Sequence, residues 1–215
     1  PVALDIKTEE KTVQLKEGER RTVAILFADI QGFTKLSEKL DHETVRDLMD
    51  SIFKIFTQAI EKHSGYVDKY TGDEIMALFG AKVASEVDTQ RAVFCALDIL
   101  DKMSGINKQL PAKLNLSTQD VQLSIRIGIN TGVVTTGRIG KQREGDFTVY
   151  GDAVNIASRM ESNAPPDRIM LSEATMKLAG DFFHYEDHGS VSVKGKTDKI
   201  SVFLVSGLND TSSSN

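Results

Sequence analysis

Residues 23–33, VAILFADIQGF, decide the fold of this chain. The apolar run over residues 23–28 is rich in strand-forming side chains and ends at Asp29, after which Gly32 supplies a turn that opens a helix. This order predicts a buried strand that presents the Asp29 carboxylate at its C-terminal end.

A second stretch, GYVDKYTGDEIMALFG over residues 65–80, contains two strand-like segments around a tight turn at residues 71–74. A hairpin beside the first strand would place Asp73 next to Asp29. Taken singly, each aspartate is more often a turn or helix cap than a ligand. Two neighbouring carboxylates, however, repel each other unless a cation lies between them, and hard divalent cations prefer oxygen ligands. We therefore predict a two-carboxylate metal site at the rim of a sheet.

Composition limits the class of protein. The chain has 215 residues, 40% of them hydrophobic, which fits one ordinary domain with tails. A net charge of −5 and a pI near 5.4 argue against nucleic acid as the main partner. The single cysteine, Cys95, allows no intrachain disulfide and fits a reducing compartment, so we expect a cytoplasmic domain. Because residue 1 is proline, we expect a piece of a longer protein, in which any sensor or membrane anchor would lie elsewhere.

The remaining pattern alternates helical and strand-like segments. We predict an α+β fold with a ferredoxin-like βαββαβ core, additional C-terminal strands and a helix, a mainly antiparallel sheet and helices on one face. The domain would cover residues 22–208, between a lead-in segment at 1–21 and a disordered tail at 209–215. The predicted helices are 42–63, capped by Asp41 and ended by Gly65, about 88–107, 152–160 and one capped by Ser172. The other predicted strands are 123–134, 168–171, 182–193 and 200–205. Loops are expected at 109–120 and 137–147.

Five motifs occur in order along the chain: FADIQGFT, KYTGDEIMALFG, RIGINTGVV, GDAVNIASRME and SVKGK. Together they resemble the class III nucleotidyl cyclase catalytic domain over roughly residues 22–205. The resemblance implies a head-to-tail dimer of two copies of the chain, with two active sites at the subunit interface. It further implies conversion of a nucleoside triphosphate to its 3′,5′-cyclic monophosphate and pyrophosphate, with two divalent metal ions, Mg²⁺ or Mn²⁺, as cofactors.

The resemblance also assigns roles to individual residues. Asp29, Asp73 and the backbone carbonyl of Ile30 would bind the metals. In the other protomer, Asn155 would orient the ribose and Arg159 would stabilise charge on the α-phosphate. Val133 stands where some members of the family have a phosphate-binding arginine, so that contact is either missing here or supplied by Arg138 or Lys141. The phosphate-binding residues implied by the motifs are Gln31, Gly32, Phe33, Thr34 and Lys194.

Two residues match the positions that bind the base, Lys69 and Thr148. Adenine offers an acceptor at N1 and a donor at its 6-amino group, which suit a lysine donor and a hydroxyl acceptor. Guanine calls for a carboxylate that position 69 lacks, so we expect ATP as substrate. The commonest adenylyl version has aspartate at position 148. Threonine there resembles a subgroup that is often stimulated by bicarbonate, but a hydroxyl can also donate.

The same residues also fit two other functions. The chain could be a guanylyl cyclase, or a degenerate cyclase-like domain that serves dimerisation or regulation. None of the four histidines lies in a motif, and we expect all four to be solvated or structural. The proton acceptor could be Asp29, water or a substrate phosphate.

Overall fold

A computed structural model describes residues 18–117, 121–139, 146–192 and 199–209. These residues form an eight-stranded sheet with helices packed on both of its faces. The strands are β1 (Arg20–Gln31), β2 (Tyr66–Thr71), β3 (Glu74–Phe79), β4 (Ser124–Ile139), β5 (Asp146–Tyr150), β6 (Arg168–Ser172), β7 (Phe183–Val191) and β8 (Ile200–Leu208), and the helices are α1 (Phe33–Ser37), α2 (His42–Lys62), α3 (Asp88–Leu114), α4 (Asp152–Asn163) and α5 (Glu173–Ala179).

The strand order is β2-β3-β1-β4-β6-β8-β7, and β5 forms a hairpin with β4. Among the described strand pairs only β4 and β6 run parallel. This arrangement confirms the predicted α+β fold with a mainly antiparallel sheet. Because β1 lies between β3 and β4, Asp29 is in register with Glu74 on one side and with Arg126 on the other.

Both faces of β1 are buried, and successive side chains point to opposite faces of a sheet. Ala24, Leu26 and Ala28 pack in the core beneath α2 and α3, whereas Ile25 and Phe27 pack in the core beneath α4. The prediction that the helices share one face therefore holds for α2, α3 and α5 but is wrong for α4. A strand that is apolar on both faces requires a cover on each of them.

Two glycines on β4 allow α4 to lie directly on the sheet. A Cβ atom built on Gly128 would stand 1.9 Å from the backbone nitrogen of Glu161, and one built on Gly132 would stand 2.8 Å from the Cβ of Ala153. Side chains at these positions would hold the helix away from the strand. The absence of side chains at these two positions thus allows α4 to lie this close to the sheet.

The structure corrects the predicted end of α3. The sequence places this end near Asn107 with a loop from residue 109, but the helix continues through Pro111 to Leu114. A proline inside a helix removes one backbone hydrogen bond. The buried side chain of Leu110 and the core contacts of Leu114 extend the helix nevertheless. It ends at Asn115, which adopts the left-handed conformation with φ 53°.

Two smaller differences concern turns. Ser64, rather than Gly65, takes the left-handed conformation after α2, with φ 60°. Gly65 is required for another reason, because a Cβ atom there would lie 2.6 Å from the Phe79 ring. The predicted loop at 137–147 lies partly in the β4–β5 hairpin. The lead-in up to residue 17, the tail from 210 and residues 140–145, with Lys141, lie outside the described residues.

None of the helices in the described ranges is long and apolar enough to cross a membrane.

Candidate active site

Asp29 and Asp73 lie at the same end of the sheet. Asp29 is close to the C-terminal end of β1, and Asp73 occupies the turn between β2 and β3. The Ile30 N–H group donates a hydrogen bond of 3.1 Å to the Asp73 carbonyl, which ties the turn to the strand. Burial raises the pKa of Asp29, and the nearby negative charge of Asp73 adds to this rise. The structure therefore brings the two predicted metal ligands together.

Arg126 on β4 joins Asp29 to α4. Its Nη2 atom lies 2.9 Å from Asp29 Oδ2 and 2.9 Å from Glu161 Oε1. Gln31 donates a second hydrogen bond to Asp29 Oδ2 through Nε2. These contacts of Arg126 and Gln31 act to lower the pKa of Asp29, against the effect of burial. One guanidinium thus orients a predicted metal ligand and also neutralises a second, almost fully buried carboxylate.

Sequence reasoning missed both Arg126 and Glu161. A signal was available for each of them. Arg126 is a charged residue between the fully buried Ile125 and Ile127, and Glu161 follows the buried Met160 on a helix that faces the sheet. Charged residues at such positions are seldom buried without a partner.

The charge around this end of the sheet is predominantly negative. Burial, with repulsion from Asp29 and Glu74, raises the pKa of Glu161 to about 7, although Arg126 opposes the rise. Burial also raises the pKa of Glu74, assisted by repulsion from Asp29 and Asp73. An excess of carboxylates over cations is the electrostatic setting in which a bound divalent ion is stabilised.

The donor set can be compared with what a divalent ion needs. The described residues contain no group of three or more His, Cys, Asp or Glu side chains arranged to hold a metal. Asp29 and Asp73 offer carboxylate oxygens, and Mg²⁺ is commonly bound by one or two carboxylates together with substrate phosphates and waters. The Asp29 and Asp73 carboxylates therefore fit a metal site in which substrate phosphates and waters supply the remaining ligands. They do not fit a site in which the protein alone supplies every ligand.

Gly32 forms the turn that follows the predicted metal ligand Asp29. It adopts φ 88°, a left-handed value that favours glycine, and a Cβ atom there would stand 2.8 Å from the Gln122 carbonyl oxygen. Phe33 is half-buried against the core, while Thr34 is exposed. The turn thus leads into α1 with tight backbone packing. Lys194, the other predicted phosphate-binding residue, lies outside the described residues.

Asn155 and Arg159 lie on α4, four residues apart, and both are exposed. The helix is held from the sheet side by the buried Asn130, whose Nδ2 donates to the Ala153 carbonyl at 3.0 Å and whose Oδ1 accepts from Ser172 Oγ at 2.7 Å. The two predicted transition-state residues are therefore exposed to solvent on a helix that is hydrogen-bonded to the sheet through Asn130.

The two predicted base-binding residues, Lys69 and Thr148, both lie beside the carboxylate of Asp68. Thr148, which is 4% exposed, donates from Oγ1 to Asp68 Oδ2 at 2.9 Å. Lys69 Nζ lies 3.9 Å from the same oxygen, with its side chain half exposed. Asp68 was not predicted as a site residue, although an aspartate directly before a predicted base-binding lysine was a visible signal.

Comparisons with known proteins identify the family of this chain. The family described as "Adenylate and Guanylate cyclase catalytic domain" matches residues 15–207. An adenylate cyclase of Anabaena cylindrica is 31% identical over 203 residues, which cover 91% of this chain and 39% of that protein. The guanylate cyclase soluble subunit beta-2 of Rattus norvegicus is 31% identical over 205 residues, covering 92% of this chain and 29% of that protein. The chain thus spans well under half the length of these relatives.

Two solved structures share the fold closely. The adenylyl cyclase CyaB from P. aeruginosa has a TM-score of 0.82 at 32% identity, covering 88% of this chain and 96% of that one. The guanylyl cyclase Cya2 has a TM-score of 0.82 at 34% identity, covering 91% and 96%. These two adenylyl cyclases and two guanylyl cyclases are therefore similar to this chain to about the same degree. The chain belongs to the adenylate and guanylate cyclase catalytic domain family, the class III nucleotidyl cyclases.

Proposed function

We propose that this domain is an adenylyl cyclase that converts ATP to 3′,5′-cyclic AMP and pyrophosphate in a homodimer. The observation that supports the proposal is that one chain carries the predicted residues for both halves of such a site. Asp29 and Asp73 meet at one end of the sheet, while Asn155 and Arg159 are exposed on α4. Two copies arranged head to tail would then form two equivalent sites, each with carboxylates from one protomer and the arginine from the other.

The carboxylates of Asp29 and Asp73, with the carbonyl of Ile30, would hold two divalent ions, Mg²⁺ or Mn²⁺. Such ions, when bound, lower the pKa of the ribose 3′-hydroxyl and neutralise the triphosphate. Residues 31–34 and Lys194 would bind the phosphates. Asn155 would orient the ribose, and Arg159 would stabilise the charge that develops on the α-phosphate during in-line attack.

Support for ATP comes from Lys69 and Thr148. The ammonium group of Lys69 can only donate, which suits the N1 acceptor of adenine and opposes the N1–H donor of guanine. No carboxylate occupies position 69 to bind the guanine N1–H and 2-amino groups. We also propose, from Thr148 alone, that bicarbonate stimulates the enzyme. Titration with bicarbonate at constant pH tests this second proposal, and a flat response would contradict it.

The test of substrate is a comparison of ATP and GTP with Mg²⁺ or Mn²⁺, followed by separation of the products. We expect cyclic AMP as the dominant product. Dominant cyclic GMP would support the guanylyl alternative. The sequence identity is 31% both to the adenylate cyclase of Anabaena cylindrica and to the guanylate cyclase subunit of Rattus norvegicus, so identity does not favour either substrate. Failure to convert either nucleotide would instead favour a degenerate dimerisation or regulatory module. The Asp73→Asn variant provides the background for both reactions.

A further inference from the structure

Asp68 occupies an unusual position for a charged residue. Its side chain is 1% exposed, and its Oδ2 atom lies within 2.9 Å of Thr148 Oγ1 and 3.9 Å of Lys69 Nζ. The β2–β3 register shifts between Val67 and Lys69, so Asp68 is the additional residue of a β-bulge. Bulges redirect a side chain out of the regular alternation of a strand. Here the bulge places one carboxylate oxygen against both predicted base-binding residues.

The hydrogen-bonding capacity of Thr148 is determined by this contact. A threonine hydroxyl has a single proton and two acceptor lone pairs, whereas a carboxylate accepts only. Because the hydroxyl gives its proton to Asp68, it can offer only lone pairs to a ligand. Toward a bound base, Thr148 is then an acceptor, and Lys69 beside it is a donor.

We propose that Asp68 is a specificity-determining positioning residue, which fixes the Thr148 hydroxyl as an acceptor and so selects adenine over guanine. This inference rests on the proposed adenylyl cyclase function. The 6-amino group of adenine donates to such an acceptor. Guanine has a carbonyl oxygen at this position, and two facing acceptors leave both unpaired. Without Asp68, the hydroxyl could rotate and donate to that carbonyl.

The first test measures kcat/KM for ATP and for GTP in the wild type and in Asp68→Asn. An amide can donate to the Thr148 oxygen and release the hydroxyl proton, so we expect the ATP-to-GTP ratio to fall about tenfold or more. The matched control is Asp187→Asn on β7, at the opposite edge of the sheet from β2, which should leave the ratio unchanged. An unchanged ratio in Asp68→Asn would overturn the inference while leaving the adenylyl assignment intact. A wild type that prefers GTP would overturn the assignment itself.

Two further measurements separate positioning from general damage. If Asp68 acts through the hydroxyl, the ratio in Thr148→Val should be the same with and without Asp68→Asn, and additive changes would contradict this route. The wild type alone supplies the other measurement, which does not depend on any variant folding. Inosine triphosphate carries the N1–H and 6-carbonyl groups of guanine without its 2-amino group, so it should be rejected as GTP is. Turnover of inosine triphosphate as fast as ATP would show that the hydroxyl is free to donate.

Discussion

Gly128→Ala would test whether the height of α4 above β4 matters for catalysis. The new Cβ atom would meet the Glu161 nitrogen at 1.9 Å. Restoring an ordinary separation of about 3.5 Å requires the helix backbone to retreat by roughly 1.5 Å. The nearest obstacles are backbone atoms of Glu161 and Met160, so no side-chain rotation relieves the clash. Overpacking of this kind costs about 1–3 kcal/mol of unfolding free energy.

The same retreat would move Asn155 and Arg159. A displacement of about 1 Å in a catalytic group can reduce the rate about 100-fold, and we expect a loss of that size in kcat. The control is Gly105→Ala on α3, where a Cβ atom meets nothing within 4 Å. It should raise stability by up to about 1 kcal/mol and leave kcat unchanged. Urea denaturation and cyclic nucleotide formation measure both quantities. Wild-type stability and activity in Gly128→Ala would refute the proposed role of the glycine.

The remaining predictions concern charge at the same end of the sheet. The pKa of Glu161 is raised from 4.5 to about 7 in the fold. Between these two values the native state keeps a proton that the unfolded chain releases. The contribution of Glu161 to the free energy of unfolding is therefore full below about pH 4.5 and is lost as the pH rises through about 7. Glu161→Gln should remove that part of the pH dependence in urea titrations, and identical slopes would contradict the assignment. Arg126→Gln leaves the Asp29 and Glu161 carboxylates without their cation and should lower the free energy of unfolding by about 3 kcal/mol at pH 8. Arg168→Gln breaks a 2.9 Å ion pair at the surface and should cost under about 1 kcal/mol, so equal losses would argue against a special role for Arg126. Asp73→Asn should abolish turnover without lowering the melting temperature, because the backbone carbonyl of Asp73 makes the bond to Ile30; full activity would rule out the metal assignment.

The sequence predicts the part of the fold in which local signals agree. The apolar run before Asp29, the TGDE turn and the Asp41 cap are all present in the structure as predicted, and Asp41 accepts bonds from Glu43 and Thr44 N–H groups. Each of these features depends on residues close in sequence. The end of α3 was mispredicted because burial of Leu110 in the tertiary core outweighs the local effect of Pro111.

The missing parts of the candidate site depend on contacts between distant residues. Arg126 and Asp29 are 97 positions apart, and Thr148 and Asp68 are 80 apart. The motifs point to Asp29 and Thr148, but they do not show which charged residue each one meets. The close approach of α4 to the second face of the sheet has the same origin, since it depends on how Gly128 fits the helix backbone. Local sequence patterns do not specify which of these distant residues pair, and only the folded structure shows it.

The central claim is that each active site is shared between two copies of the chain. Mixing Asp29→Ala protein with Asn155→Ala protein tests it most directly, with cyclic AMP formed from ATP as the measured quantity. Each heterodimer would contain one site in which both residues are intact. With equal amounts and free exchange, half of the dimers are heterodimers, so activity should recover to about a quarter of the wild-type level. Activity no higher than that of either variant alone would contradict a site built from two subunits.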